Sequence, residues 1–133
     1  MTRTSAVYYR ALDGSEPVRE FIAGLGERRT NALARQIEHL NDRAISAPPP
    51  TYPLTSQLAH GYRELRAHFG REHYRIVYRR SANLIVLLHA FRKTSGAIPQ
   101  SELDIARARW ADFHMRMNSN KRRPPRAAGN DAP

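Results

Sequence analysis

Apolar positions recur along this chain at two different periods, and the switches between them outline a fold. Ser5 to Leu12 (SAVYYRAL) has the apolar and aromatic content of a short strand and runs into the turn dipeptide Asp13-Gly14. Beyond it Ser15 is placed to cap a helix with Glu16 and Pro17 in its first turn, and Val18, Phe21, Ile22 and Leu25 fall at i, i+3, i+4 and i+7. Gly26 breaks that helix. A second starts at about Arg28, with Leu33, Ile37, Leu40 and Ala44 as a narrower apolar stripe. So short a break predicts an α-hairpin laid against a sheet.

Pro48, Pro49, Pro50 and Pro53 then interrupt both periods, since proline continues neither a helix nor a central strand, and predict an exposed, extended connection. Three candidate strands follow, Tyr62 to Phe69, His73 to Arg80 and Leu84 to Phe91, separated by the turn segments GRE and SAN. The last periodic segment is helical. Ser101 and Asp104 resemble a capping box, and Leu103, Ala106, Trp110, Phe113 and Met117 form its stripe. The expected order is β-α-α-β-β-β-α, an α+β domain over residues 1–118 with an antiparallel meander. Residues 119–133, rich in Pro, Arg, Ala and Gly, read as a basic disordered tail.

Composition narrows the chemistry. With 133 residues the chain suits one domain and one core, and it has no cysteine, which excludes disulfides, zinc-thiolate sites and cysteine nucleophiles. No histidine pair carries the spacing and carboxylates of a metal site, and His68 and His73 come near one another by hairpin geometry alone, so neither metal nor cofactor is expected. No apolar run approaches the length of a membrane span and the N-terminus lacks an h-region, so a cytoplasmic protein is expected. The formal charge of +10 points to a polyanion or an acidic protein as partner. The tail accounts for three of those charges, and the rest belong to the domain.

Arginines inside the candidate strands Tyr62 to Phe69 and His73 to Arg80 sharpen that picture, because alternation assigns each to a face once a register is chosen. A hairpin turning at Arg71-Glu72 pairs Phe69, Ala67 and Leu65 with Tyr74, Ile76 and Tyr78 on a core face. Glu64, Arg66 and His68 then stand opposite Arg79, Val77 and Arg75 on the other. A turn at Ala82-Asn83 adds Leu87, His89 and Phe91 to the core. The charged face suits a phosphodiester backbone; it equally suits a solvated polar face in which Glu64 pairs with Arg79. Arg92 and Lys93 follow at the sheet edge.

In that order and spacing, LAHGYRELR (Leu58 to Arg66), YRIVY (Tyr74 to Tyr78), LLHAFRKTSGAIP (Leu87 to Pro99) and SELDIARAR (Ser101 to Arg109) resemble the HigB and phage-Gp49-like branch of the RelE/ParE toxin superfamily. GSEPVREFIAGL is similar to that family's first helix, so only the tail lies outside the resemblance. The resemblance implies a RelE-like fold and the toxin of a type II toxin–antitoxin pair. It further implies an mRNA interferase, a metal-independent endoribonuclease acting on mRNA at the ribosome, in which the ribose 2′-oxygen attacks the adjacent phosphate. Such a toxin inhibits translation and growth, and its partner is a cognate antitoxin, a helix-turn-helix protein of the HigA type.

Carried over by position, Arg66 matches the arginine of the family's E-L-R, Arg75 that of Y-R-I and Lys93 the first lysine of F-x-K-K. The resemblance thus implies these three as the phosphate-binding, transition-state set. His68 is the candidate for proton transfer, Arg79 and Arg92 for substrate binding, and Glu64 for orienting Arg66 or Arg79. Thr94 and Ala97 depart from the family pattern, standing where basic residues are common. His89 matches the histidine of L-H-G-F, and the register above points it into the core. Two other readings stay open: a ParE-like gyrase poison, and a catalytically inactive module that binds nucleic acid or antitoxin.

Overall fold

The structure, a computed structural model, describes residues 3–94, 96–117 and 126–129. Its elements in chain order are β1 (Ser5–Tyr8), α1 (Pro17–Ala23), α2 (Glu27–Ile37), β2 (Thr55–Gln57), β3 (Arg63–Phe69), β4 (Glu72–Ser81), β5 (Leu84–Lys93), α3 (Gln100–Met117) and β6 (Arg126–Ala127). The result is the expected α+β class, with a sheet of six strands in the order β2-β3-β4-β5-β1-β6. The predicted meander is β3-β4-β5. What pattern did not show is that β1 joins this sheet parallel to β5, Ser5 beside Leu84 and Tyr8 beside Leu87, so the chain leaves the sheet through both helices before returning. Two short edge strands were also missed. β2 pairs with the start of β3, and β6 pairs with β1.

The sheet is covered on both faces. α1 and α2 lie on one, where Val18, Ile22, Leu33 and Ile37 meet Leu65, Ile76, Tyr78 and Leu87 in a core from which water is excluded. α3 lies on the other, its Ala106 and Phe113 packing on Val77, Val86 and Leu88. A strand buried on both faces loses the simple alternation of apolar and polar residues, which explains why the LIVLL run of β5 carries so little face information.

β3 and β4 turn one residue pair earlier than expected, at Gly70-Arg71, with Phe69 beside Glu72. The shift is two residues in register, so every side chain keeps its expected face while its cross-strand partner changes. Gly70 takes the left-handed conformation (φ 59°) that this tight turn requires. β5 departs further. Tyr78 pairs with Leu87 but Val77 pairs with His89, so Leu88 is an extra residue, a β-bulge. The bulge reverses the alternation beyond it, and His89 and Phe91, expected on the helix-hairpin face, emerge on the α3 face.

Other local expectations are corrected by neighbouring hydrogen bonds. Glu16 rather than Ser15 precedes α1, because the Ser15 hydroxyl donates to Asp13 Oδ1 at 2.7 Å. α3 begins before Ser101, and Asp104 accepts from the Gln100 side chain at 2.9 Å instead of closing a capping box. α2 ends at Ile37 in a 3₁₀ turn, so Ala44 leaves the stripe and forms a bridge with Arg3. Part of the segment expected to be a disordered tail is paired. Ala128 N–H donates to Ala6 O at 2.8 Å, and the Asn41 side chain holds Ala128 O at 3.0 Å. Residues 119–125 and 130–133 of that expectation lie outside the described residues. Among the described residues no helix is long and apolar enough to cross a membrane.

One ion pair ties α2 to the tip of the hairpin. Arg29 grips Glu72 with two parallel bonds of 2.8 and 2.7 Å, and the buried Tyr74 hydroxyl donates to the same carboxylate at 2.5 Å. The Arg29 bond first, and the Tyr74 bond second, lower the Glu72 carboxyl from 4.5 to about 2. Because the folded value lies below the unfolded one, this contact contributes fully above pH 4.5 and is lost as the pH falls toward 2. Glu72→Gln is expected to flatten that part of the acid limb in urea unfolding followed across this pH range. An unaltered acid limb would show that the contact does not couple α2 to the hairpin.

Candidate nucleic-acid interface

The register of β3, β4 and β5 arranges three rows of side chains on the α3 face, running from beneath α3 to the open end of the sheet. Glu64, Val77 and His89 form one row; Arg66, Arg75 and Phe91 the next; His68, His73 and Lys93 the last, at the open end of the sheet. Opposed side chains in such rows start about 4.5–5.5 Å apart at Cβ. Two guanidiniums, an ammonium and two imidazoles therefore share a small patch. Of the predicted set, Arg66, Arg75, Lys93 and His68 are brought together, and His73 joins them directly opposite His68.

Arg75 is the least ordinary of these. It is only 5% exposed, yet it carries a charge directly opposite another arginine. Glu64 compensates it, with Oε1 3.0 Å from Arg75 Nε, an ion pair whose angle is poor for a hydrogen bond. The second Glu64 oxygen accepts from the Ser56 hydroxyl at 2.7 Å, and Arg75 Nη1 donates to the Tyr74 carbonyl at 3.0 Å. Glu64 thus orients Arg75, and not Arg66 or Arg79 as expected. The two-residue register shift is the reason. Burial, then repulsion from Arg66, holds the Arg75 guanidinium below its usual pKa, so the pair calls for an added negative charge.

Arg66 is half-buried, its guanidinium 4.9 Å over the ring of Tyr52, a residue 68% exposed. Lys93 donates to the Gly96 carbonyl, and His68 and His73 are exposed. Arg92 and Arg79 stand apart from the patch. Arg92 pairs with Tyr74 and so projects to the helix-hairpin face, near Glu72. Arg79 lies between the rings of Tyr62 and Trp110, at 5.0 and 4.9 Å, and donates to the His60 carbonyl at 3.0 Å. Trp110 is engaged there and with Phe113.

His89 lies part-buried under α3 rather than in the core first expected. It meets Glu102 at 2.7 Å through Nε2, and Arg109 donates to Nδ1 at 3.1 Å and to the Leu88 carbonyl at 2.9 Å. An Nδ1 that accepts leaves the proton on Nε2, donated to Glu102. Burial lowers the imidazole pKa, favouring this neutral form. His89 in turn stacks on Phe91, ring centres 5.5 Å apart, and so braces the end of the arginine row. Tyr52, His73 and Phe91 were not singled out from sequence. His73 shares strand parity with Arg75, a signal that was present; Tyr52 is brought in only by the path of the proline loop.

A model of the phage-derived, Gp49-like family (DUF891) matches residues 20–111. The chain belongs to that family. Gp49-like proteins are RelE/HigB-like and are associated with the toxins of toxin–antitoxin systems, and membership implies an antitoxin as partner. The match runs from within α1 to within α3 and includes every residue of the three rows. No curated protein and no solved structure matches the chain.

The cationic row has a measurable cost in stability. Glu64→Ala leaves Arg75 buried beside Arg66 without a carboxylate, and is expected to lower unfolding stability by about 3 kcal/mol. Arg66→Ala removes the repulsion across the row and is expected to raise it by about 0.5 kcal/mol. Urea midpoints of the two variants against wild type check both signs. Equal midpoints for all three would mean that solvent, not Glu64, compensates Arg75.

Proposed function

We propose that this chain is a metal-independent mRNA interferase, the toxin of a type II toxin–antitoxin pair, acting in the cytoplasm on mRNA at the ribosome. The observation that carries the reading is the Arg66–Arg75 row, a cross-strand pair of guanidiniums with Lys93 and two imidazoles in the adjacent row. An exposed polar face built for solubility would separate like charges, whereas this one opposes them directly and buries one of them. The planar forks of Arg66 and Arg75 suit bidentate contact with a phosphate, and Lys93 adds a third positive charge beside them.

In this reading the scissile phosphate sits over the arginine row. One imidazole of the His68–His73 pair takes the proton of the ribose 2′-hydroxyl as its oxygen bonds to phosphorus. The other gives a proton to the 5′-oxygen as the phosphorus–oxygen bond to it breaks. The products are a 2′,3′-cyclic phosphate and a 5′-hydroxyl. Negative charge growing on the phosphate is met by Arg66, Arg75 and Lys93, the interaction that strengthens on the way to the transition state. Glu64 positions Arg75, and His89 braces Phe91 alongside it. The antitoxin, a helix-turn-helix protein, masks the same cationic patch with an acidic segment.

Arg66 is the decisive position to test, since it is half-buried and not part of the buried Glu64 ion pair, so its replacement is expected to leave the fold intact. Inducing the wild type in a bacterial host is expected to arrest growth and to create new mRNA 5′ ends. Arg66→Ala is expected to reduce cleavage about 100-fold and relieve the arrest. Arrest without new ends, with loss of DNA supercoiling, would transfer the activity to gyrase. Neither effect would leave a binding module on this fold, in keeping with Thr94 and Ala97.

A further inference from the structure

The cationic face continues around the open edge of β3. β2 pairs as far as Leu65 and the Arg66 N–H still donates to the Leu54 carbonyl at 2.7 Å, so from Ala67 onward β3 is an edge strand, and α2 passes beside it. Between them lies a groove of about 460 Å³, walled by Gln36 of α2 and His39 of the 3₁₀ turn after it, by Pro53 and Leu54 of the proline loop, and by Arg66 and His68. It opens onto the arginine row, since Arg75 also lines it. A volume of this order accepts a small ligand such as one nucleotide.

Tyr52 precedes Pro53 in the loop that walls this groove. Tyr52 is 68% exposed, and the Arg66 guanidinium lies 4.9 Å from its ring centre. A large apolar ring held out of the core beside clustered cations is the arrangement that stacks an unpaired base, because every base has a π face while the phosphates meet the arginines. Gln36 adds a directional group. Its amide nitrogen donates to the His68 carbonyl at 2.9 Å, a bond only the NH₂ end can make, so the amide oxygen is the end that remains to accept.

We propose that this groove is a base-binding subsite of the same site: an unpaired RNA base stacks on Tyr52, and Gln36 accepts a hydrogen bond from its exocyclic amino group. The inference rests on the cationic face being an RNA site, and it adds a sequence preference that the arginine row cannot supply. Phosphate contacts carry no base information. The subsite favours adenine, cytosine or guanine at one position over uracil, which has no amino group to donate.

The two residues have separable signatures. Stacking tolerates any base, so Tyr52→Ala is expected to weaken binding of short 2′-O-methyl oligonucleotides roughly tenfold whatever their sequence, and Tyr52→Phe to restore it. Gln36→Leu is expected to weaken oligo-adenylate and oligo-cytidylate roughly fivefold while leaving oligo-uridylate unchanged. Cleavage sites mapped in cells are then expected to lose their bias against uracil in Gln36→Leu. Tyr52 is exposed, and thermal melts of each variant separate loss of fold from loss of binding. If the wild type binds the oligonucleotides or cuts mRNA and both variants match it in affinity and base profile, the subsite is wrong and the cationic row stands. If the wild type neither binds nor cuts RNA, the RNA reading and the subsite fall together.

Discussion

A guanidinium inside a sheet is tolerated only when something repays its lost hydration, and in this molecule that requirement governs the arrangement of three strands. Arg75 is buried between a carboxylate and a second guanidinium. Glu64 reaches it diagonally from β3, and Ser56 on β2 holds the other carboxylate oxygen, so even the short edge strand contributes to charge balance. Move β3 by two residues and the carboxylate meets Arg79 instead, leaving Arg75 uncompensated. The register therefore carries an electrostatic constraint as well as a packing one.

The Leu88 bulge is the second constraint, because it lets one strand serve two environments. Before it, β5 gives Ile85 and Leu87 to the helix hairpin and Val86 to α3; after it, Ala90 faces the hairpin while His89 and Phe91 face α3 and the site. Without the extra residue His89 would point into an apolar core with no partner for either ring nitrogen. With it, Glu102 and Arg109 of α3 satisfy both nitrogens, and the helix that caps the sheet also braces the row beside Arg75. An added residue thus becomes a positioning device.

Hydrophobic period, turn chemistry and proline placement made both helices of the hairpin, the three meander strands and the last helix legible, since each depends on residues near one another in the chain. The segregation of Arg66, Arg75 and His68 onto one face was legible for the same reason, because face depends only on parity and a two-residue error preserves it. Cross-strand partners were not. They depend on where the turn closes, and Gly70-Arg71 and Arg71-Glu72 are both chemically acceptable turns. Arg92 illustrates the limit: its charge recommended it, but the bulge upstream put it on the opposite face.

What the sequence determined by itself was local: which segments are helices or strands, the sign of the charge, and the parity of the arginines. The tertiary structure decided everything set by distant residues meeting. β1 lies parallel to β5 because a two-helix crossover carries the chain back to the sheet, and the chain returns after α3 to close the β1 edge through Asn41. Tyr52 reaches Arg66 because the proline loop folds over the β3 edge. Glu64 serves Arg75 because backbone pairing and charge compensation agree at only one register. Those are long-range energies, and no window along the chain contains both partners.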